Sequence, residues 1–228
     1  MARHLALGPY EHEWTCAVAV TLVNRAWFRV GSEHHLRASR TYGITTLAKR
    51  HVTVRGRRVA FRFPGKGRLA VRTTLVDPEI ADAVRALLRL DGGARLLRFE
   101  RDGEPANLTS ALLNDYIADN LGEGFTAKDF RTWGGTLAAA RGLADRGLAD
   151  APSDQRRILA AVMRSVGAEL GNTAAVARAS YVSPAVVEQW RQGRTLDDFV
   201  RRKVRGLSAD ETALLSLLRS WRVRRSRP

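Results

Sequence analysis

The chain has 228 residues, 45% of them hydrophobic, and this length and composition favour one large folded domain or two small ones over a disordered chain. The formal net charge at pH 7 is +15, which favours a polyanionic partner, with nucleic acid first and an anionic membrane surface second. The single cysteine, Cys16, excludes an internal disulfide and a cysteine metal cluster. The apolar run around it is too short to cross a bilayer and no signal peptide is visible, so we expect a cytoplasmic protein without a membrane partner.

The first third of the chain predicts one helix followed by strands. Apolar residues at helical spacing, including Trp14, Val18 and Leu22, predict a helix over about residues 11–27 that ends near Gly31. Three short runs with strand periodicity and turn-like connections then predict a small three-stranded antiparallel sheet. The predicted strands are residues 51–54, 59–63 and 69–73.

Helices dominate the rest of the chain. Asp77 as N-cap and Pro78 in the first turn open a helix to about Leu90, and residues 96–99 lead into a polar loop. The further predicted helices run from a cap at Asn107 or Thr109 to about residue 121, and over about residues 127–148, 151–170, 174–179, 184–192 and 208–221. The predicted fold class is α+β, mostly α, with the first helix and the sheet in residues 1–75 and the helical part in residues 76–228.

Basic residues concentrate where the strands are predicted. No acidic residue lies between Glu33 and Asp77. The eleven basic residues of that interval are Arg37, Arg40, Lys49, Arg50, Arg55, Arg57, Arg58, Arg62, Lys66, Arg68 and Arg72. This segment carries most of the net positive charge, which indicates a surface for an anionic polymer.

The residues best suited to chemistry lie further along the chain. The sequence KDFRTW, residues 128–133, precedes Asn172 and then Tyr181. A tyrosine phenol keeps its proton to about pH 10, so its attack on a phosphodiester needs cations that neutralise the phosphate and favour the phenolate. Arginine suits this task because its planar fork of donors matches two phosphate oxygens at once.

Several motifs follow one another in the order of a known enzyme family. They are FRVG (28–31), YGITTL (42–47), KRHV (49–52), a predicted strand pair with Lys66 at its turn, KDFRTW (128–133), LGNT (170–173) and SYVSP (180–184). Over about residues 27–191, this order resembles the catalytic domain of type IB DNA topoisomerases, most closely their bacterial, poxvirus-like branch. The resemblance implies a helical catalytic domain with a small three-stranded sheet, of the type shared with tyrosine recombinases.

The resemblance also implies roles for individual residues. Tyr181 corresponds to the nucleophile and Lys66 to the general acid on the strand hairpin. Arg29 and Arg131 correspond to the two catalytic arginines. Asn172 stands where relatives have histidine or asparagine, and its amide can donate a hydrogen bond to a phosphate oxygen but carries no charge. The further expected DNA contacts are Tyr42, Lys49, Arg50, His51, Lys128 and Thr132.

The implied reaction is a transesterification on double-stranded DNA. Tyr181 would form a 3′-phosphotyrosyl link, and the free strand would rotate before the 5′ hydroxyl attacks back. We expect no cofactor: bond energy is conserved, the arginines supply the charge neutralisation of a metal, and neither a glycine-rich phosphate loop nor a metal-type histidine spacing is present. We also expect a monomer that acts at the nucleoid.

Two other functions stay open at this point. A tyrosine recombinase shares the fold and the chemistry, but its second arginine usually lies in an HxxR context followed by His-Thr, where this chain has Lys128 and Thr132-Trp133. A non-catalytic basic DNA-binding module would keep the charge without needing the tyrosine. The family's N-terminal clamp domain is expected to be absent, so the sequence would be an excised fragment or a naturally short form that holds DNA more weakly.

Overall fold

The computed structural model describes residues 3–91, 93–204 and 206–225. The helices are α1 His12–Ala26, α2 Glu33–Ser39, α3 Pro78–Arg89, α4 Ser110–Leu121, α5 Ala127–Ala144, α6 Pro152–Leu170, α7 Ala174–Ser180, α8 Pro184–Arg191 and α9 Ala209–Arg225. The strands are β1 Val52–Arg55, β2 Arg58–Pro64, β3 Ala70–Val76, β4 Arg98–Arg101 and β5 Glu104–Asn107. The predicted fold class, α+β and mostly α, is confirmed. No helix in these ranges combines the length and the apolar character that a membrane crossing requires.

Two compact units divide the chain, Met1–Arg131 and Thr132–Pro228. The boundary falls inside α5, so this helix contributes residues to both units. The sequence analysis grouped α3 and α4 with the tyrosine-bearing helices of residues 76–228. In the structure these two helices belong to the first unit, where both pack against α1.

Helix α1 forms the centre of the core of the first unit. Its buried residues are Trp14, Thr15, Cys16, Ala17, Val18, Ala19, Val20, Leu22 and Val23. The sequence pattern predicted a helix buried along one side, whereas these positions occupy nearly every side. A helix of this kind needs neighbours all around, and α3, α4 and β4 supply them.

One face of the sheet β1–β2–β3 packs on the same core. Val59, Phe61 and Phe63 alternate with exposed or half-buried residues along β2 and therefore share one face. Phe28 packs edge-to-face on Phe61 and Phe63, with ring centroids 5.0 and 5.4 Å apart. The segment that follows α1 is thereby held against the buried face of the sheet.

Helix α1 matches the predicted range of about residues 11–27 to within one residue at each end, but Gly31 does not end it. Trp27 adopts the left-handed conformation at φ 52°, and its backbone N–H donates to the Val23 carbonyl at 2.8 Å. The predicted end near Gly31 was therefore wrong, because Gly31 lies in the loop beyond the helix. A short helix, α2, then begins after Ser32, whose side chain accepts from the His35 N–H at 3.2 Å.

The segment predicted as a polar loop after residue 99 is a β-hairpin. Strands β4 and β5 pair in antiparallel register, with Arg101 opposite Glu104. Asp102 and Gly103 form the connection, and both have positive φ, 54° and 79°. A two-residue turn with positive φ at both positions is the type that matches strand twist, and Asp-Gly is one of its preferred sequences.

Hydrogen bonds from buried side chains join the helices of the second unit. Gln189 on α8 is 1% exposed, and its Nε2 donates to the Leu217 carbonyl of α9 at 2.6 Å. Trp190 is equally buried, and its Nε1 donates to the Gly147 carbonyl at 3.0 Å. Buried polar groups are therefore satisfied while their apolar parts fill the core.

The buried position of Cys16 gives a test of the core of the first unit. Burial, reinforced by the negative charge of Glu13, raises the pKa of the Cys16 thiol to about 12. At pH 8 only about one thiol in ten thousand is then ionised, and the thiolate is the reactive form. We expect no reaction with Ellman's reagent within an hour in native buffer and one equivalent in guanidinium chloride. Rapid labelling in native buffer would contradict the described packing of α1.

Candidate active site

The candidate catalytic residues are divided between the two units. Arg29, Lys66 and Arg131 belong to the first unit, and Asn172 and Tyr181 belong to the second. The residues of each unit are held by contacts within that unit, and these contacts determine which hydrogen-bond donors each side chain can offer.

Arg29 lies in the loop between α1 and α2 and is half-buried. Its carbonyl accepts a hydrogen bond from the Ile44 N–H at 2.7 Å, and the next carbonyl, that of Val30, accepts from the Thr45 N–H at 2.9 Å. The Thr45 hydroxyl donates to the same Val30 carbonyl at 2.9 Å. The backbone of Arg29 is thus fixed by the segment YGITTL, which the sequence analysis placed in the same site.

Two glycines allow these segments to meet. A Cβ at Gly43 would lie 2.3 Å from the Gly31 nitrogen and 2.6 Å from the Arg29 carbonyl oxygen. Gly31 also has a φ of +91°, which side-chain-bearing residues rarely adopt. No other residue fits at either position without moving the backbone of Arg29.

Arg131 lies in the second turn of α5 and is only 4% exposed. Thr126 caps α5: Asp129 accepts from the Thr126 N–H at 2.8 Å, and the Thr126 hydroxyl accepts from the Lys128 N–H at 3.3 Å. The Arg131 Nη1 donates to the carbonyl of Trp27. Trp27 stands two residues before Arg29, so the structure brings the two candidate arginines to the same loop.

Tyr42, Arg50 and His51 form one cluster. The Arg50 Nη2 donates to the Tyr42 hydroxyl at 2.8 Å, and the Tyr42 and His51 rings meet edge-on with centroids 4.3 Å apart. The His51 Nδ1 accepts from the Ala48 N–H at 3.2 Å. Burial, and then the charge of Arg50, lower the pKa of His51, so its imidazole is neutral at pH 7 and keeps its Nε2–H as a donor.

Lys49, unlike the cluster of Tyr42, Arg50 and His51, hydrogen-bonds to backbone carbonyls just after α3. Its ammonium donates to the Leu90 carbonyl at the end of α3, and its backbone N–H donates to the Ala94 carbonyl at 2.8 Å. One of its three N–H donors is therefore used inside the protein. The remaining two can still face a phosphate.

Lys66 lies at the tip of the hairpin formed by β2 and β3, as predicted. Its side chain is exposed, and a tight turn holds the tip, because the Gly65 N–H donates to the Leu69 carbonyl at 2.7 Å. Gly67 and Arg68 both have positive φ, 67° and 60°. The Tyr42 N–H donates to the Pro64 carbonyl at 2.8 Å, which joins the base of this tip to the cluster described above.

Tyr181 ends helix α7 in the second unit. It is half-buried, and its backbone N–H donates to the Ala177 carbonyl at 3.0 Å. The Thr136 hydroxyl of α5 donates to the Tyr181 carbonyl at 3.3 Å and accepts from the Ser183 N–H at 3.1 Å. Thr136 therefore fixes the backbone on both sides of Val182, and the sequence analysis did not identify it.

Glycines on α5 and α6 bring neighbouring elements close to α7. A Cβ at Gly135 would lie 2.8 Å from the Tyr181 carbonyl oxygen and 3.2 Å from its Cβ. A Cβ at Gly167 would lie 2.9 Å from the Asn172 carbonyl oxygen. Sequence reasoning missed both positions, because a glycine within a helix gives no signal of the contact it allows.

Asn172 follows the C-terminus of α6 and precedes α7. Its backbone N–H donates to the Gly167 carbonyl at 2.7 Å, and its Nδ2 lies 3.4 Å from the Leu170 carbonyl. Thr173 caps α7 by accepting from the Val176 N–H at 3.3 Å. Asn172 and Tyr181 therefore flank the two ends of the same short helix.

The two remaining predicted DNA contacts lie near the start of α5. Lys128 is exposed and Thr132 is half-buried. The next residue, Trp133, donates from Nε1 to the Glu211 carboxylate at 2.9 Å. Burial alone would raise the pKa of Glu211, but hydrogen bonds from Ser208 and Trp133 lower it, so the acceptor stays ionised at neutral pH.

Comparison with known protein families decides where the chain belongs. A family model described as the catalytic core of eukaryotic DNA topoisomerase I matches residues 4–209. The chain belongs to this family. The match includes all five candidate catalytic residues of the topoisomerase resemblance, and it agrees with the helical fold and small sheet found in the structure.

A viral relative supports the same assignment. The DNA topoisomerase 1B of Acanthamoeba polyphaga mimivirus is 28% identical to the chain over 190 residues. The alignment covers 80% of this chain and 56% of the viral topoisomerase, so the chain spans little more than half the length of that relative.

The contact at Gly135 predicts a stability difference between two Gly→Ala substitutions in α5. Gly135→Ala gains about 1 kcal/mol of helix propensity but forces a methyl group onto the Tyr181 backbone, which costs about 2–3 kcal/mol. Guanidinium unfolding should therefore show a loss of about 1–2 kcal/mol. Gly142→Ala is the control, because its Cβ would meet only side-chain atoms, the nearest at 3.2 Å on Val162. Equal stability of the two variants would contradict the described contact.

Proposed function

We propose that the chain is the catalytic domain of a type IB DNA topoisomerase, which relaxes supercoiled DNA by cutting and resealing one strand. The family match over residues 4–209 supports this proposal, and that range includes the five candidate residues Arg29, Lys66, Arg131, Asn172 and Tyr181. The viral relative is longer than this chain, so the chemical argument comes from the local geometry of the candidate residues.

The reaction exchanges one ester bond for another. The Tyr181 phenolic oxygen attacks the phosphorus of a DNA phosphodiester, and the bond from phosphorus to the 5′ oxygen breaks. The phenolic proton leaves to solvent, while the leaving 5′ oxygen takes a proton from the Lys66 ammonium. After strand rotation, the 5′ hydroxyl returns its proton to Lys66 and attacks the phosphorus of the 3′-phosphotyrosine, and the bond from phosphorus to Tyr181 breaks. The released phenolate takes a proton from solvent. No ATP is needed because each step conserves the energy of the bond that breaks.

The arginines are assigned to the charge that develops on the phosphate. Arg131 is 4% exposed and hydrogen-bonded to the Trp27 carbonyl, so its guanidinium is preorganised before DNA binds. A fixed cation in a site of low polarity stabilises a charged transition state more than a mobile surface cation does. Arg29 stands two residues from the same carbonyl. Asn172 would add one neutral hydrogen bond, and this charge neutralisation leaves no step for which a metal is required.

Lys66 suits the role of general acid through its position. It is exposed on a tight hairpin tip, and the left-handed residues Gly67 and Arg68 fix the shape of that tip. An exposed tip can enter a DNA groove while its base stays anchored through the bond between Tyr42 and Pro64. The general acid therefore reaches the leaving oxygen from outside the core.

The surrounding polar residues are proposed to position double-stranded DNA. Arg50 and Lys128 offer exposed charges for phosphates, and Tyr42 and His51 offer neutral hydrogen-bond donors. Lys49 and Thr132 complete the set. We further propose that the protein works as a monomer on the nucleoid DNA of a bacterial cytoplasm, in keeping with the motif order of the bacterial branch.

Relaxation of a plasmid separates the proposed activity from its rivals. Supercoiled plasmid is incubated with the protein in EDTA without ATP, and we expect a ladder of relaxed topoisomers. A non-catalytic DNA-binding module would leave the plasmid supercoiled. A tyrosine recombinase would instead exchange strands between specific sites, and no observation on this chain favours that activity.

Tyr181→Phe should abolish both relaxation and the covalent adduct while leaving DNA binding within about twofold of the parent. The substitution removes only the phenolic oxygen, so the basic residues are untouched. A denaturing gel of protein and end-labelled duplex measures the adduct. Tyr10→Phe is the control, because its hydroxyl donates to the Ala86 carbonyl at 3.0 Å and has no part in the proposed chemistry. Protein-linked DNA with Tyr181→Phe would disprove the assignment of the nucleophile.

Lys66→Ala should be rescued by a substrate in which sulfur replaces the leaving 5′ oxygen. A thiolate leaves without a proton and an alkoxide does not, so the variant should cut only the sulfur substrate at close to the parental rate. Single-turnover cleavage of the two substrates provides the measurement. Arg68→Gly removes a charge at the same tip and should affect both substrates equally. Slow cleavage of the sulfur substrate by Lys66→Ala would exclude Lys66 as the general acid.

A further inference from the structure

The outer face of the sheet β1–β2–β3 is unusually basic for a folded surface. Strand alternation places Arg55 on β1, Arg58 and Arg62 on β2, and Arg72 on β3 on this face, and all four are exposed. The opposite face carries the apolar residues that pack on the core. The basic face is therefore a continuous surface of the first unit.

The register of the sheet places arginines directly opposite one another on neighbouring strands. Arg55 lies directly opposite Arg58, and Arg62 lies directly opposite Arg72. Side chains at such positions have Cβ atoms about 5 Å apart, and like charges there destabilise a sheet. Replacing one arginine of each pair with a neutral residue would remove this repulsion without a loss of stability. The pairs therefore need an explanation other than the stability of the fold.

None of these four arginines forms an ion pair in the described part of the chain. Sequence between Glu33 and Asp77 contains no carboxylate, and the ion pairs of the described residues form elsewhere, for example between Arg95 and Glu33 at 2.8 Å. The four guanidinium groups therefore retain their hydrogen-bond donors for a ligand from outside the chain.

A shallow groove of about 410 Å³ runs over this face and reaches the candidate site. Arg55, Arg58 and Arg62 line it together with Arg50 and His51. Arg50 also bonds to the Tyr42 hydroxyl, so the groove is continuous with the cluster that is proposed to hold DNA. Thr53 and Thr74 lie among the arginines, and Ala60 is the one apolar residue of the lining.

We propose that this arginine face binds the phosphate backbone of the same duplex that the candidate site holds, and so extends the contact along the DNA. The inference rests on the proposed function. Arg58 and Arg62 are four residues apart along β2, which is about 13 Å in a strand. A duplex presents roughly eight negative charges over that length, far more than a small anionic ligand could. A polyanion of regular charge spacing therefore matches the face best.

Salt dependence of DNA binding tests the proposal. The face variant carries Arg55→Gln, Arg58→Gln, Arg62→Gln and Arg72→Gln. The control variant loses the same charge from α6 and α9 through Arg156→Gln, Arg157→Gln, Arg164→Gln and Arg219→Gln. The slope of log Kd against log salt concentration is measured for a labelled duplex with the parent and both variants. Each lost phosphate contact reduces this slope by about 0.9, so the face variant, which loses four arginines, should lose about 3.6 and the control less than about 1.

Three outcomes would overturn the proposal. An unchanged slope in the face variant means that the face does not contact DNA, and an equal loss in the control means that only net charge matters. Loss of binding to phosphatidylserine vesicles, with the DNA slope unchanged, would assign the face to membranes instead.

Covalent cleavage separates this test from the proposed function. Single-turnover cleavage by the face variant at saturating protein and low salt should stay within about twofold of the parent, since no candidate catalytic residue is altered. Failure of the parent to form an adduct would count against the proposed function, whereas normal cleavage with an unchanged slope would count against the arginine face alone.

Discussion

The close approach of two backbone segments at Gly31 and Gly43 is the constraint on which the first half of the candidate site depends. Because neither residue has a Cβ, the Arg29 and Val30 carbonyls come within hydrogen-bonding distance of the Ile44 and Thr45 amides. The loop fixed in this way starts at Trp27, whose carbonyl receives the guanidinium of the buried arginine of α5. A shift of either segment would therefore displace both candidate arginines together, and the cost would appear in the chemistry before it appeared in the stability of the core.

Much of the first unit follows from local rules that act within a few residues. The alternation of Val59, Phe61 and Phe63 predicts β2, and Asp77 before a proline predicts the start of α3. The range of α1 was predicted to within one residue, but the left-handed conformation of its C-cap, Trp27, was not, because a tryptophan gives no sequence signal for a positive φ. The β4–β5 hairpin was missed although Asp-Gly is a strong turn signal. Both strands are only four residues long, and the second of them, β5, is polar and has no buried residue, so the pattern indicated a loop.

In the candidate site, too, sequence motifs predict some residues, whereas only the structure shows the contacts that support them. Motif order was sufficient to select Arg131 and Tyr181 as candidates, since the proposed chemistry restricts the residue types. The contacts that hold Tyr181 came from Gly135 and Thr136, more than forty positions away in the chain. A single glycine or threonine within a helix produces no periodic sequence pattern that would predict such a contact. Such supporting contacts become visible only when the neighbouring elements are seen together.

Ionic strength has two opposite effects on this molecule, and both act through the arginine pairs of the sheet. The repulsion across the ladder acts over about 5 Å between exposed groups, and added salt screens it, so the sheet gains stability as salt rises. Attraction to a polyanion weakens over the same range, because counterion release then contributes less. Conditions that best preserve the free protein are thus the ones in which it would hold the proposed DNA partner least well. In the proposed complex, bound DNA would screen the arginines when salt is low, and one set of charges would then couple folding to recognition.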